Sequence, residues 1–315
     1  MKDNSITIAK GIGITLVVIA HIMEGYIGSA IFTFHMPFFF ILSGMLYKPE
    51  EDISFIRKKT KRLLFPYLFY SAIFIILGIQ DILTTDKNTY FLIKELLIKN
   101  LLGGPYIGGW QSVFWFISVL YLSLVIYNFI SNKLRNITIF NLMLFMIISA
   151  YIYSLLPHPK IPFDIDACLF AIPLIYIGDK YRENIKSLNF NMCLLILTSY
   201  ILVNYFMPKN LQMDMKYIHF GIPFFSIISS VCATNIIINI SKKITSKDYF
   251  FIMLGECSMM VMYIHQYIRL YIFVPIISEK WIILILTMSI CSLLCLVHRW
   301  MYTRNIGMSF LKLVN

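Results

Sequence analysis

The chain has 315 residues, of which 59% are hydrophobic and 14% charged, and its formal net charge is +11. A soluble domain carries about a quarter charged residues, so this balance, with a mean hydropathy of +0.75, excludes an ordinary soluble enzyme and indicates a polytopic membrane protein. The basic excess raises nucleic-acid binding, but basic cytoplasmic flanks of membrane spans account for it without a nucleic-acid partner.

The first apolar segment, Ile6 to Met23, contains Lys10 and His21. Ionisable groups in lipid cost at least a few kcal/mol and mark functional sites by default. Their separation is about three helical turns, so both lie on one face, roughly 16 Å apart along the axis. A snorkelling basic flank plus a polar packing contact is the alternative reading. The apolar run is long, contains His21 and lacks a small-residue cleavage site, so it reads as a span and not a signal peptide. Glu24 follows at i+3, placed either to orient the imidazole or as an interfacial carboxylate.

Counting that segment (near 6–24), spans of about 17–25 residues continue near 29–47, 64–82, 113–131, 137–156, 164–178, 190–207, 217–240, 249–268 and 281–300. The expected fold is therefore an all-α bundle of about ten transmembrane helices forming one domain over 1–315. The 164–178 stretch is short, and reads as tilted or partly re-entrant. Residues 90–102, with Lys94, Glu95 and Lys99, read as an amphipathic interfacial helix. The six cysteines fall inside apolar segments with neither metal-ligand nor disulfide spacing, and are expected to pack as small apolar residues.

With the N-terminus inside, roughly 18 basic residues face the cytoplasm and roughly 8 face outward, a count that includes Lys2, Lys87, Lys209, Lys247 and Lys312. Both termini are thus placed in the cytoplasm. Lys58, Lys59, Lys61 and Arg62 then cluster at the inner face. His21, His35, Trp115, Asp164, Asp166 and His265 fall in the outer half.

The runs AKGIGITLVVIAHI, FHMPFFFILSGMLY, KRLLFPY and WFISVLY, followed by PFDIDACLFAIPLIYIGDKY and LGECSMMVMYIHQY, keep one order along the chain. Together they resemble the membrane-bound acyltransferase-3 family, and most of all its fucose 4-O-acetylase-like sugar acetyltransferase branch. The resemblance implies a helix bundle that passes an acyl group, usually acetyl from acetyl-CoA and without a metal, to sugars of lipopolysaccharide, capsule, exopolysaccharide or peptidoglycan. It implies a multi-pass protein of the bacterial inner or plasma membrane. The family's hallmark is a basic residue, most often Arg, separated by ten residues from a functional His. Lys10 and His21 match it, with Lys keeping the charge but losing the planar fork. The family's basic cluster falls on Lys58, Lys59, Lys61 and Arg62. No fused hydrolase-like domain follows, so the membrane domain is expected to act alone or with a separate partner.

O-acetylation needs a base for the acceptor hydroxyl, and His suits that task near neutral pH. His21 is the expected base or transient acyl carrier, with Glu24 to orient it. His35, two residues before Pro37, is expected to hold the acceptor, polarise the thioester carbonyl or serve as a packing donor. Trp115 offers a platform for a sugar ring or belongs to an interfacial aromatic belt. Asp164 and Asp166 bind sugar hydroxyls or end a loop, and His265 is a further substrate-binding candidate. His158, His219 and His298 read as structural. Glu256 needs a partner that the sequence does not name. The basic cluster steers the CoA phosphates, sets topology, or both.

The expected function is an integral membrane O-acyltransferase. Its partners are acyl-CoA, a glycan or lipid-linked sugar acceptor, and membrane lipids. The alternatives are a transporter or flippase of a small solute or lipid-linked sugar, or an acyltransferase using succinyl or an amine acceptor.

Overall fold

Residues 4–84, 89–207, 212–244 and 249–304 are described by a computed structural model. Lys2, Lys87, Lys209, Lys247 and Lys312, which enter the charge-bias argument, lie outside the described residues. Regular structure among the described residues is helical apart from an isolated bridge between Asp214 and His219.

Helix α1 spans Ser5–Met23 without interruption. It stops because Glu24 and Gly25 both take positive φ, at 43° and 55°, through which no right-handed helix continues. The second span is two helices, α2 (Gly25–Phe32) and α3 (His35–Met45). They part at Thr33–Phe34, where Pro37 has no N–H to offer the Thr33 carbonyl. Helix α4 (Asp52–Lys59) runs through a π turn, Thr60–Leu64, into α5 (Phe65–Leu83). The turn sits directly before Pro66, the kind of place where a helix adjusts its hydrogen-bond register. Helix α6 (Thr89–Leu102) buries none of its residues, as an interfacial helix does.

The chain continues through α7 (Trp115–Lys133), α8 (Asn136–Leu155), α9 (Cys168–Lys180), α10 (Arg182–Ser187) and α11 (Phe190–Phe206). It ends in α12 (Phe225–Lys243), α13 (Tyr249–Glu256), α14 (Ser258–Tyr267) and α15 (Lys280–Thr303). Among the described residues, seven helices are long and apolar enough to cross a membrane: Ser5–Met23, Gly25–Met45, Asp52–Leu83, Gly109–Lys133, Asn136–Leu155, Phe225–Lys243 and Lys280–Thr303.

The other expected spans are helical but shorter or broken. Helix α11 has 17 residues. The 164–178 stretch becomes helical only at Cys168, because Phe163 and Asp164 take φ of 61° and 53°. The 249–268 stretch breaks at Cys257. The 217–240 segment also starts late, at Phe225, after positive φ at Ile218 and Phe224.

Helix α1 is central, packed against α2, α3, α12, α13, α14 and α15. Lipid gives apolar side chains little reason to leave it, so close backbone approach carries much of helix association. Gly11 and Gly255 provide it between α1 and α13: a Cβ on Gly11 would lie 2.1 Å from the Phe251 carbonyl oxygen, and one on Gly255 1.9 Å from that of Thr7. Gly44 and Gly178 repeat the arrangement between α3 and α9, with a Cβ on either 2.0 Å from a facing carbonyl oxygen. These crossings fix the two helices that carry His21 and His35. Glu256 finds its partner in Arg299, at 3.4 Å, tying α13 to α15. All six cysteines are buried and unbridged.

Candidate active site

A cavity of about 410 Å³ follows one face of α1. That volume falls within the range of small-molecule sites, about 300–1,000 Å³. Lys10, Ile14, Val17 and His21 line it from α1, at the helical spacing that puts them on one stripe. Lys59 and Arg62 join Lys10 at one end, near enough for the three cations to repel one another. His21, His35, Asp214 and Lys216 belong to the other end, with Phe39, Phe116 and Leu120 among the apolar walls. Trp115 also lines the cavity and is buried, so it is not part of an exposed aromatic belt.

The basic cluster divides. Lys59 and the exposed Arg62 line the cavity, whereas Lys58 lies outside the lining and pairs with Glu50 at 2.5 Å. Lys61 is exposed and is not among the lining residues.

Phe32 joins the His21 and His35 rings, and His265 stands beside His21. The His21 and His35 rings meet Phe32 edge-on, with centroids 5.4 and 5.0 Å away. The His265 ring lies 5.4 Å from that of His21, behind the cavity wall. His35 Nδ1–H donates to the Ile31 carbonyl at 3.0 Å, so in the neutral ring Nε2 is an acceptor. That geometry suits holding a hydroxyl and not donating to a thioester carbonyl.

Glu24 does not orient His21. Its half-exposed carboxylate lies past the end of α1, where it holds Arg269 and, at 3.0 Å, Lys280. Asp164 and Asp166 also stand outside the cavity lining. Asp166 accepts from Tyr153 at 3.3 Å and caps the Ala167 N–H at 3.2 Å. Asp164 is buried, and its Oδ2 has no hydrogen-bond partner among the described residues; burial, with Asp166 beside it, pushes its carboxyl up to about 7.

Two charged lining residues were not singled out from the sequence. Lys216 and Asp214 come from the irregular segment before α12. Lys216 Nζ donates to the Ile107 carbonyl at 3.3 Å. Burial lowers its pKa while Asp164 and Asp214 act against that. Burial pushes the Asp214 carboxyl up to about 6. Gly221 and Pro223, just downstream, were the available signal that the expected helix could not begin at residue 217. Among the described residues, no group of three or more His, Cys, Asp or Glu side chains is placed to hold a metal ion.

The acyltransferase domain of the Acyl_transf_3 family matches residues 3–300. The chain belongs to that family. No curated protein and no solved structure matches it. This Acyl_transf_3 protein is thus a multi-pass membrane acyltransferase, and its cavity joins cations at one end to imidazoles at the other within the matched residues.

Proposed function

We propose that this acyltransferase moves an acetyl group from acetyl-CoA to a sugar hydroxyl, as the fucose 4-O-acetylase-like branch it resembles is expected to do. One observation carries the reading: a single cavity is lined by Lys10, Lys59 and Arg62 and also by His21 and His35. Clustered cations suit the phosphates of CoA. The roughly 16 Å from Lys10 to His21 along α1 is comparable to an extended pantetheine arm, and apolar walls suit that arm between them.

In the reaction, a His21 ring nitrogen takes the proton of the acceptor hydroxyl as its oxygen attacks the thioester carbon. His35 Nε2 holds the acceptor through a second hydroxyl. The Lys216 ammonium lies on the side of the cavity where negative charge builds on the carbonyl oxygen. Collapse of the tetrahedral intermediate breaks the C–S bond. The thiolate then takes the proton from His21, leaving an O-acetyl ester and free CoA thiol.

The basic end faces the cytosol, where the donor is made, and the acceptor arrives from the opposite side. Thiol release from acetyl-CoA by the purified protein, dependent on surface glycan from the producing cell, tests this reading. Glycan-dependent release in wild type and its loss in a folded His21→Ala variant are expected. Release independent of both His21 and glycan would overturn it.

A further inference from the structure

His265 lies in the interior of the bundle, 0% exposed, with Nδ1–H donated to the Val261 carbonyl at 2.9 Å. That bond leaves the neutral ring with its lone pair on Nε2. No hydrogen-bond partner meets this Nε2 among the described residues. Proteins rarely keep a buried acceptor without a donor unless it has a task.

The nearest ring is His21, centroids 5.4 Å apart and planes at 37°. Phe32 covers another side of His21 in a T-shaped contact and has no N–H to give. Arg269, the next cation along, is engaged by Gln266 and Glu24. Of these neighbours His21 alone carries a ring N–H; the two rings are not hydrogen-bonded as they stand, and a ring rotation brings that N–H to His265 Nε2.

We propose that His265 is the positioning residue for His21. Its Nε2 accepts the N–H of one His21 nitrogen, so the other His21 nitrogen presents its lone pair to the cavity. The inference rests on the reading of His21 as the base. It adds what selects the productive tautomer, a task that a carboxylate performs in other His-based sites. When His21 takes the acceptor proton it carries two N–H groups. One stays held by His265, and the other gives its proton to the departing thiolate. Because His265 is neutral, it does this without placing a second charge in the apolar core.

The test is to label the six histidines with ¹⁵N, assign His21 by its loss in His21→Ala, and read its tautomer without substrate. Wild type should show one neutral tautomer with a hydrogen-bonded ring N–H. His265→Phe should give a tautomer mixture and lower kcat about 10²-fold, with little change in KM for acetyl-CoA. His265→Gln, whose amide oxygen reaches to the place of Nε2, should restore the single tautomer and most of kcat. An unchanged His21 tautomer in His265→Phe, or no rescue by His265→Gln, would overturn the proposal. If His265→Phe does not fold, the wild-type spectrum still decides: a His21 ring with no hydrogen-bonded N–H refutes it. The spectra need no turnover, so failure of the acetyltransferase reading remains distinguishable from failure of this one.

Discussion

Gly11 of α1 and Gly255 of α13 meet at one crossing, where a Cβ on either would stand about 2 Å from a carbonyl oxygen of the other helix. Backbone cannot yield as a flexible side chain can, so even alanine must push α1 away from α13. His21 is carried on the same α1. Gly255→Ala should therefore cost about 1–3 kcal/mol and lower acyl transfer as well. Gly108→Ala, where an added Cβ meets nothing within 4 Å, should leave both near wild type. Thermal unfolding in one detergent, alongside thiol release, checks the pair.

The divided basic cluster permits a charge-matched comparison. Lys59→Gln with Arg62→Gln removes two cations from the cavity lining, while Lys58→Gln with Lys61→Gln removes two from outside it. The first pair should raise KM for acetyl-CoA by about tenfold or more, since hydrogen bonds to charged groups are worth about 1.5–3 kcal/mol each. The second should leave KM nearly unchanged. If the cluster only sets topology, the two pairs should behave alike in reporter-tag orientation and donor affinity.

Glu24→Gln should have a modest effect on turnover, because the carboxylate holds Arg269 and Lys280 and not the His21 imidazole. A half-exposed pair of this kind contributes roughly 0–1 kcal/mol. A fall in kcat of more than about tenfold, with folding intact, would contradict this placement.

The legible part of this protein is what a single helix encodes. Lys10, Ile14, Val17 and His21 form one stripe by spacing alone, and the cavity follows that stripe. The role expected for Glu24 fails because it assumes that the helix continues past Met23; the chain turns at positive φ instead. Its actual partners lie 245 and 256 positions away, beyond any local pattern. In the sequence, Asp164 and Asp166 read as sugar ligands or as the end of a loop. The backbone there turns through positive φ at Phe163 and Asp164, carrying both carboxylates away from the cavity lining. Lys216 escapes notice because charge in a loop is unremarked until the fold lays that loop over the site.

Asp164 gives a pH signature. Its carboxyl sits at about 7 in the fold against an ordinary 3.8. The folded state thus binds the proton more tightly than the unfolded chain, and this contribution is fully present below about pH 4. It is lost as pH rises towards 7. Asp164→Asn should flatten that part of the stability profile and raise the neutral-pH midpoint by about 2–4 °C. An unchanged slope between pH 4 and 7 in the variant would contradict the assignment.

The central claim is that one cavity brings a donor from the Lys10 end to an acceptor at the His21 end. Right-side-out vesicles loaded with ¹⁴C-acetyl-CoA, with the producing cell's surface glycan supplied only outside, test it most directly. Label is expected in the external glycan with wild-type protein and none with His21→Ala. Transfer that occurs only when donor and glycan share the same side of the membrane would contradict it.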